Sequence, residues 1–172
     1  FFQLTNDIDL SGKAWGYRFD FYGYLYGDGY TIKGLTTPFV NSNYGIIDSL
    51  NISNVSIEVN DVEQLTYGTN KKETSSNTYY YGIFSVYNLG TIKNSKIGGS
   101  NSIKVKTELN LVTDSGCTHT KSTMVCFGGF TGQNNVEGII NNCEIDGVIT
   151  LDSYHYVYHK LCETFGYNDE QA

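Results

Sequence analysis

The chain has 172 residues, 40% of them hydrophobic and 17% charged, with a net charge of −7 at neutral pH. That length suits one core of ordinary size, so a single domain over 1–172 is expected. An acidic chain whose only arginine is Arg18 points away from nucleic acid, since phosphate affinity comes from clustered Lys and Arg. No apolar run nears the roughly 20 residues that cross a bilayer, so no membrane insertion is expected. The chain starts at Phe1 rather than Met and is expected to be processed or cut from something longer.

In chain order, Phe2 to Ser11 reads as a lead-in strand region, with Asp7 and Asp9 facing solvent by default. Gly29-Tyr30-Thr31-Ile32-Lys33-Gly34-Leu35 is a shortened first member of a repeat. Three fuller members follow, Gly45 to Ile52, Gly90 to Ile97 and Gly138 to Ile145, sharing the pattern G-x-I-x-[NS]-x-x-[IL]. Phe39 and Phe84 lie six residues before their glycines and Phe130 lies eight before its own. Near the end, Phe165-Gly166-Tyr167-Asn168 looks like the opening of one more copy.

The copies alternate apolar with polar residues and favour β-branched ones, as in Asn51-Ile52-Ser53-Asn54-Val55-Ser56-Ile57-Glu58-Val59, which is strand chemistry. No segment has sustained helical spacing, so helix content should be low. Gly27-Asp28-Gly29, Gly98-Gly99-Ser100-Asn101 and Asp146-Gly147 are expected to supply the positive-φ positions of tight corners. Strands and corners repeated around a fixed Ile or Leu suit an all-β fold, a right-handed parallel β-helix (β-solenoid). One coil cannot bury its apolar face alone, and stacked copies cover one another. Glycine spacings of 45 and 48 exceed a coil of roughly 20 to 30 residues, so loops must fill the difference. Two polar insertions, about 66–78 and 113–123, are assigned to that role and are expected to project from one face.

Tyr81-Gly82-Ile83-Phe84-Ser85 followed by Gly90 to Ser95, and Phe127 to Asn134 followed by Gly138 to Cys143, resemble GLUG-type repeats. Phe2 to Ser11 and Phe21 to Leu35 look like the lead-in that accompanies them, so the likeness touches most of the chain outside the insertions. The resemblance implies a parallel β-helix from a large secreted or cell-surface protein of adhesin-like type and brings no catalytic residues. Cysteines and long insertions depart from the bacterial pattern.

Cys117, Cys126, Cys143 and Cys162 allow three pairings, of which Cys117–Cys126 and Cys143–Cys162 are favoured over free thiols. No C-x-x-C pair supports zinc, and no G-G-x-G-x-D turn supports calcium, so no metal and no cofactor are expected. His155 and His159 fall on a strand by alternation, about 13 Å apart, too far for one ion to join. Asn51-Ile52-Ser53 and Asn54-Val55-Ser56 make Asn51 and Asn54 candidate N-glycosylation sites, and with the cysteines they lean extracellular.

Asp7, Asp9, Asp20, Asp28 and Asp48 do not recur at equivalent repeat positions, which weighs against a polysaccharide-degrading enzyme. Tyr79, Tyr80, Tyr81, Tyr154, Tyr156 and Tyr158 are candidates for a carbohydrate-binding or assembly surface, with packing within the fold as the plainer reading. The leading expectation is a non-catalytic extracellular structural or adhesive module. Unpaired edges on terminal coils would join adjacent solenoid modules or identical subunits, as in a head-to-tail filament.

Overall fold

The structure, a computed structural model, describes residues 1–15, 19–67, 72–113 and 118–161, with side chains described except over 61–77, 107–123 and 155–161. Every regular element among them is a β-strand. In chain order these are β1 (Phe2–Gln3), β2 (Ile8–Asp9), β3 (Tyr24–Tyr26), β4 (Thr31–Lys33), β5 (Val40–Asn43), β6 (Ile46–Asp48), β7 (Asn51–Ser53) and β8 (Ser56–Tyr67). They continue with β9 (Lys72–Tyr81), β10 (Ser85–Asn88), β11 (Thr91–Lys93), β12 (Lys96–Thr113), β13 (Thr118–Phe127), β14 (Thr131–Asn134), β15 (Ile139–Asn141) and β16 (Glu144–Leu161).

Three sheets carry the repeats. One runs β1-β3-β6-β11-β15, a second β5-β10-β14, and a third β2-β4-β7-β12-β16. The pairings with described registers in these sheets are parallel, and the repeated isoleucines stand opposite one another. Phe2 faces Leu25, Leu25 faces Ile47, Ile47 faces Ile92, and Ile92 faces Ile140. In the third sheet Ile8, Ile32, Ile52 and Ile97 form a matching row. The middle members Ile47, Ile92, Ile52 and Ile97 are fully buried, each such burial contributing about 1.5–3 kcal/mol. Strand alternation sets the central Ile inward and turns the residue on each side the other way, which is why the pattern keeps Ile and varies its neighbours.

The repeat glycine has a different cause from the one expected of corner glycines. A Cβ on Gly45 would fall onto the carbonyl oxygen of Gly23, and a Cβ on Gly90 onto that of Gly45. One on Gly138 would strike the carbonyl oxygen of Asn88. Backbones of successive copies pass too close there for any side chain. Positive φ is found at Gly29 (78°) and Gly99 (69°), as expected, but not at Gly27, Gly98 or Gly147. Gly27 and Gly147 are instead crowded by the backbone of Leu50 and Gly99. Four other corners use Ser49 (55°), Asn54 (52°), Asn94 (51°) and Asn142 (51°). Asparagine tolerates this region because its short amide bonds locally.

Two compact units divide the chain. The first is Phe1–Glu58, Tyr80–Lys104 and Val125–Asp152, and holds the stacked rows just described. The second is Val59–Tyr79, Val105–Met124 and Ser153–Ala172, and holds the body of β9 and β13, which pair with each other. Both segments read as loop insertions include strand: 66–67 belongs to β8 and 72–78 to β9, and 113 belongs to β12 and 118–123 to β13. Lys72-Glu73-Thr74-Ser75-Ser76-Asn77 has no apolar residue, so periodicity gave no strand signal there.

Candidate functional site at the ends of the sheets

At the β1 end, the first and third sheets continue two strands beyond the second, which ends at β5. The second sheet is represented there, among the described residues, only by a bridge between Phe21 and Asn43. The space left over Leu25, Ile32 and Phe39 is a cavity of about 540 Å³, lined also by Phe2, Ile8 and Trp15. Trp15 partly roofs it: the indole N–H donates to the Phe39 carbonyl at 2.9 Å, and the two rings stack at 5.5 Å. Phe2 remains 61% exposed, and Tyr22, stacked on Tyr44 with centroids 4.7 Å apart, remains 72% exposed. This end is aromatic and concave.

The β15 end is aliphatic. Ile140 continues the row of Ile47 and Ile92 yet is 39% exposed, and Ile139, Ile145, Val148 and Leu151 are exposed beside it. Isolated apolar residues on a surface need no explanation; here they lie together, and Ile140 continues a row that is core chemistry elsewhere in its sheet.

A buried amide row connects the layers. Asn43, Asn88 and Asn134 are paired in register. The Asn43 amide N–H donates to Asn88 Oδ1 at 2.8 Å, and the Asn88 amide donates to Asn134 Oδ1 at 2.8 Å. Asn43 Oδ1 accepts the Gly45 N–H, and the Asn134 amide donates to the Gly138 carbonyl. Asn43 and Asn88 are fully buried, so these bonds answer groups that water cannot reach. Alongside, the Ser85 hydroxyl donates to Thr131 Oγ1 at 3.0 Å.

Asp48 is the most heavily engaged carboxylate among those named. It accepts from the Tyr24 hydroxyl at 2.7 Å, Asn94 Nδ2 at 2.9 Å and the Ser49 hydroxyl at 3.0 Å, with Lys93 Nζ at 3.3 Å. Burial pushes its carboxyl up, but those hydrogen bonds outweigh burial and hold the pKa at about 2. The folded value lies below the ordinary 3.8, so the stabilisation is complete above that value and disappears as pH falls through it towards 2. It amounts to about 2 kcal/mol. Asp48→Asn is expected to cost about that much at pH 7 and to flatten the acid limb. The check is unfolding free energy measured from pH 7 to 2; equal acid losses in variant and parent would contradict the assignment.

The other candidate acids also hold structure. Asp7 accepts the Thr31 N–H, Asp20 the Ser42 N–H and the Asn41 amide, and Asp28 the Gln3 amide. Asp9 accepts the Ser11 N–H and pairs with Lys33 at 3.1 Å. The Ser11 hydrogen bonds lead in lowering its pKa to about 2. Among the candidate tyrosines, Tyr81 is buried, Tyr79 and Tyr80 are half-buried, and Tyr154 is 46% exposed. The side chains of Tyr156 and Tyr158, like those of His155 and His159, lie outside those described, though all four residues belong to β16.

Cys126 and Cys143 form no disulfide among the described residues, and the partners assigned to them, Cys117 and Cys162, lie outside those residues, as does Arg18. Cys143 occupies the register of Ser95 and donates to the Asn141 carbonyl at 3.3 Å, as Ser95 does to that of Lys93 at 2.8 Å. Burial raises its thiol pKa, which favours the unreactive form. Among the described residues no group of three or more His, Cys, Asp or Glu is placed to hold a metal ion. The amide row and the contrast between the two ends escaped sequence reading; the N-x-G spacing at Asn43 and Asn88 is the signal that could have revealed the row.

Comparison of the chain with protein-family models, curated proteins and solved structures returns no match. The likeness to GLUG-type repeats therefore rests on the residues alone.

Proposed function

We propose that the chain is a non-catalytic structural or adhesive module of an extracellular protein, built as a right-handed parallel β-solenoid that joins end to end with a second copy of itself. The observation that carries this reading is the mismatch within one row: Ile47 and Ile92 are fully buried, while Phe2 and Ile140 at its two ends are exposed. Visits to three parallel sheets in recurring order, with identical residues in register, support the solenoid, and parallel crossovers are overwhelmingly right-handed. The ends differ, an aromatic hollow against an aliphatic ridge, so the contact joins unlike surfaces. Such a heterologous contact propagates when it does not close.

The test is sizing with negative-stain imaging over a rising concentration series. The parent chain is expected to form species larger than monomer, and Ile140→Lys or Val148→Lys to weaken their formation at least tenfold by placing a charge where apolar area is buried. Val148 is 62% exposed in the single chain, whereas Ile140 also covers Ile92, so Val148→Lys is the variant that separates assembly from folding. A parent that stays monomeric at its highest soluble concentration, or lysine variants that assemble like the parent, would overturn the proposal.

A further inference from the structure

The two adjacent sequons are not equivalent in the fold. Asn51 lies in β7, opposite Thr31 on one side and Lys96 on the other. Its Nδ2 donates to the Gly29 carbonyl of the neighbouring layer at 2.6 Å, and the residue is half-buried. The nitrogen that would carry a sugar is thus held against backbone. Asn54 is oriented the other way. It sits at an exposed corner with φ 52°, and its Oδ1 accepts the Ser100 N–H at 3.1 Å. Its Nδ2 makes no hydrogen bond among the described residues.

Both amide orientations are dictated by the partner, because a backbone carbonyl can only accept and a backbone N–H can only donate. Gly99 fits this arrangement, since a Cβ there would strike Asn54 Oδ1. The corner is therefore packed on the oxygen side, and the residue as a whole is exposed. Ser56, the hydroxyl residue of the second sequon, is exposed, whereas Ser53 of the first is half-buried.

We infer that Asn54, and not Asn51, carries an N-linked glycan in the folded protein. In the transfer, the Asn54 Nδ2 bonds to the anomeric carbon of a polyprenyl-diphosphate-linked oligosaccharide and gives up a proton to the transferase's base. The anomeric C–O bond breaks, and the lipid diphosphate leaves with the electron pair. Transfer precedes folding, so the fold acts by selection: a sugar on Asn54 projects to solvent, while one on Asn51 crowds the turn at Gly29.

This inference rests on the extracellular reading above. The test is production of the chain through a eukaryotic secretory pathway, followed by intact mass and by mapping of the Asn-to-Asp conversion that enzymatic glycan release leaves. One glycan per chain at Asn54 is expected, lost in Ser56→Ala, which leaves the Ser100 bond in place, and retained in Ser53→Ala. Secreted folded chain with a glycan at Asn51, or with none, would overturn the inference. Association in the sizing experiment is read separately, so failure of one does not pass for failure of the other.

Discussion

Gly90→Ala is expected to cost about 3 kcal/mol or more. The added carbon would enter the carbonyl oxygen of Gly45, and the other atoms nearest it, Tyr44 C and Gly45 N, are also backbone. No side chain is there to swing away. Relief would require two layers to separate, disturbing the Thr91 N–H bond to Gly45 O at 2.8 Å and the adjoining Ile47–Ile92 pairing. For a chain of this size the loss corresponds to a drop of roughly 6–12 °C in midpoint temperature. Gly98→Ala is the control: its φ is not positive and its Cβ would meet only Asp146 O at 3.8 Å, an ordinary contact. That variant is expected to stay within about 0.5 kcal/mol of the parent. Thermal unfolding of both decides the matter, and equal effects would show that glycine matters here for flexibility rather than close approach.

The second large effect is expected at Asn88. Alanine removes the acceptor for the buried Asn43 amide and the donor for Asn134 Oδ1 together, and leaves a gap between layers. Unsatisfied buried polar groups cost about 1–3 kcal/mol, and the gap adds to that, for a total near 3 kcal/mol. Asn88→Asp separates hydrogen bonding from volume. Its carboxylate still accepts from Asn43 but now opposes Asn134 Oδ1 and the Ile139 carbonyl, which lies 3.4 Å from the present amide. Burial among acceptors raises the folded-state pKa of that carboxyl above its unfolded value. The penalty is therefore full at neutral pH and is relieved as pH falls through the raised value, because the protonated acid can donate. Denaturant unfolding at pH 7 and pH 4 is the measurement; an aspartate variant equally destabilised at both would refute the ladder's donor role.

How far the residues announced this architecture can be read from particular positions. Ile47, Ile92 and Ile140 were visible as a repeat because burial in register demands the same shape each time. The glycines two residues after Asn43 and Asn88 were visible too, though their cause was backbone proximity rather than φ. The asparagine row was hidden. Asn134 stands four residues before Gly138 instead of two, and in a chain rich in asparagine a shifted copy looks accidental. The polar strand at 72–77 was hidden for a related reason, having no apolar face to set a period of two. The contrast between an aromatic and an aliphatic end depends on which copy is first and which is last, and a repeat pattern treats its copies as equals.

The amide row also has a direction. Each described rung passes its hydrogen from the earlier asparagine to the later one, Asn43 to Asn88 to Asn134. At the Asn43 end the oxygen is already occupied by the Gly45 N–H, whereas at the Asn134 end the nitrogen has spent one hydrogen on Gly138 and holds another. The stack works as an arrow: beyond Asn134 a further layer would meet an amide hydrogen, while beyond Asn43 the same chain already supplies the next layer at Phe21. Under the end-to-end assembly proposed above, this direction sets the β15 tip apart from the β1 tip.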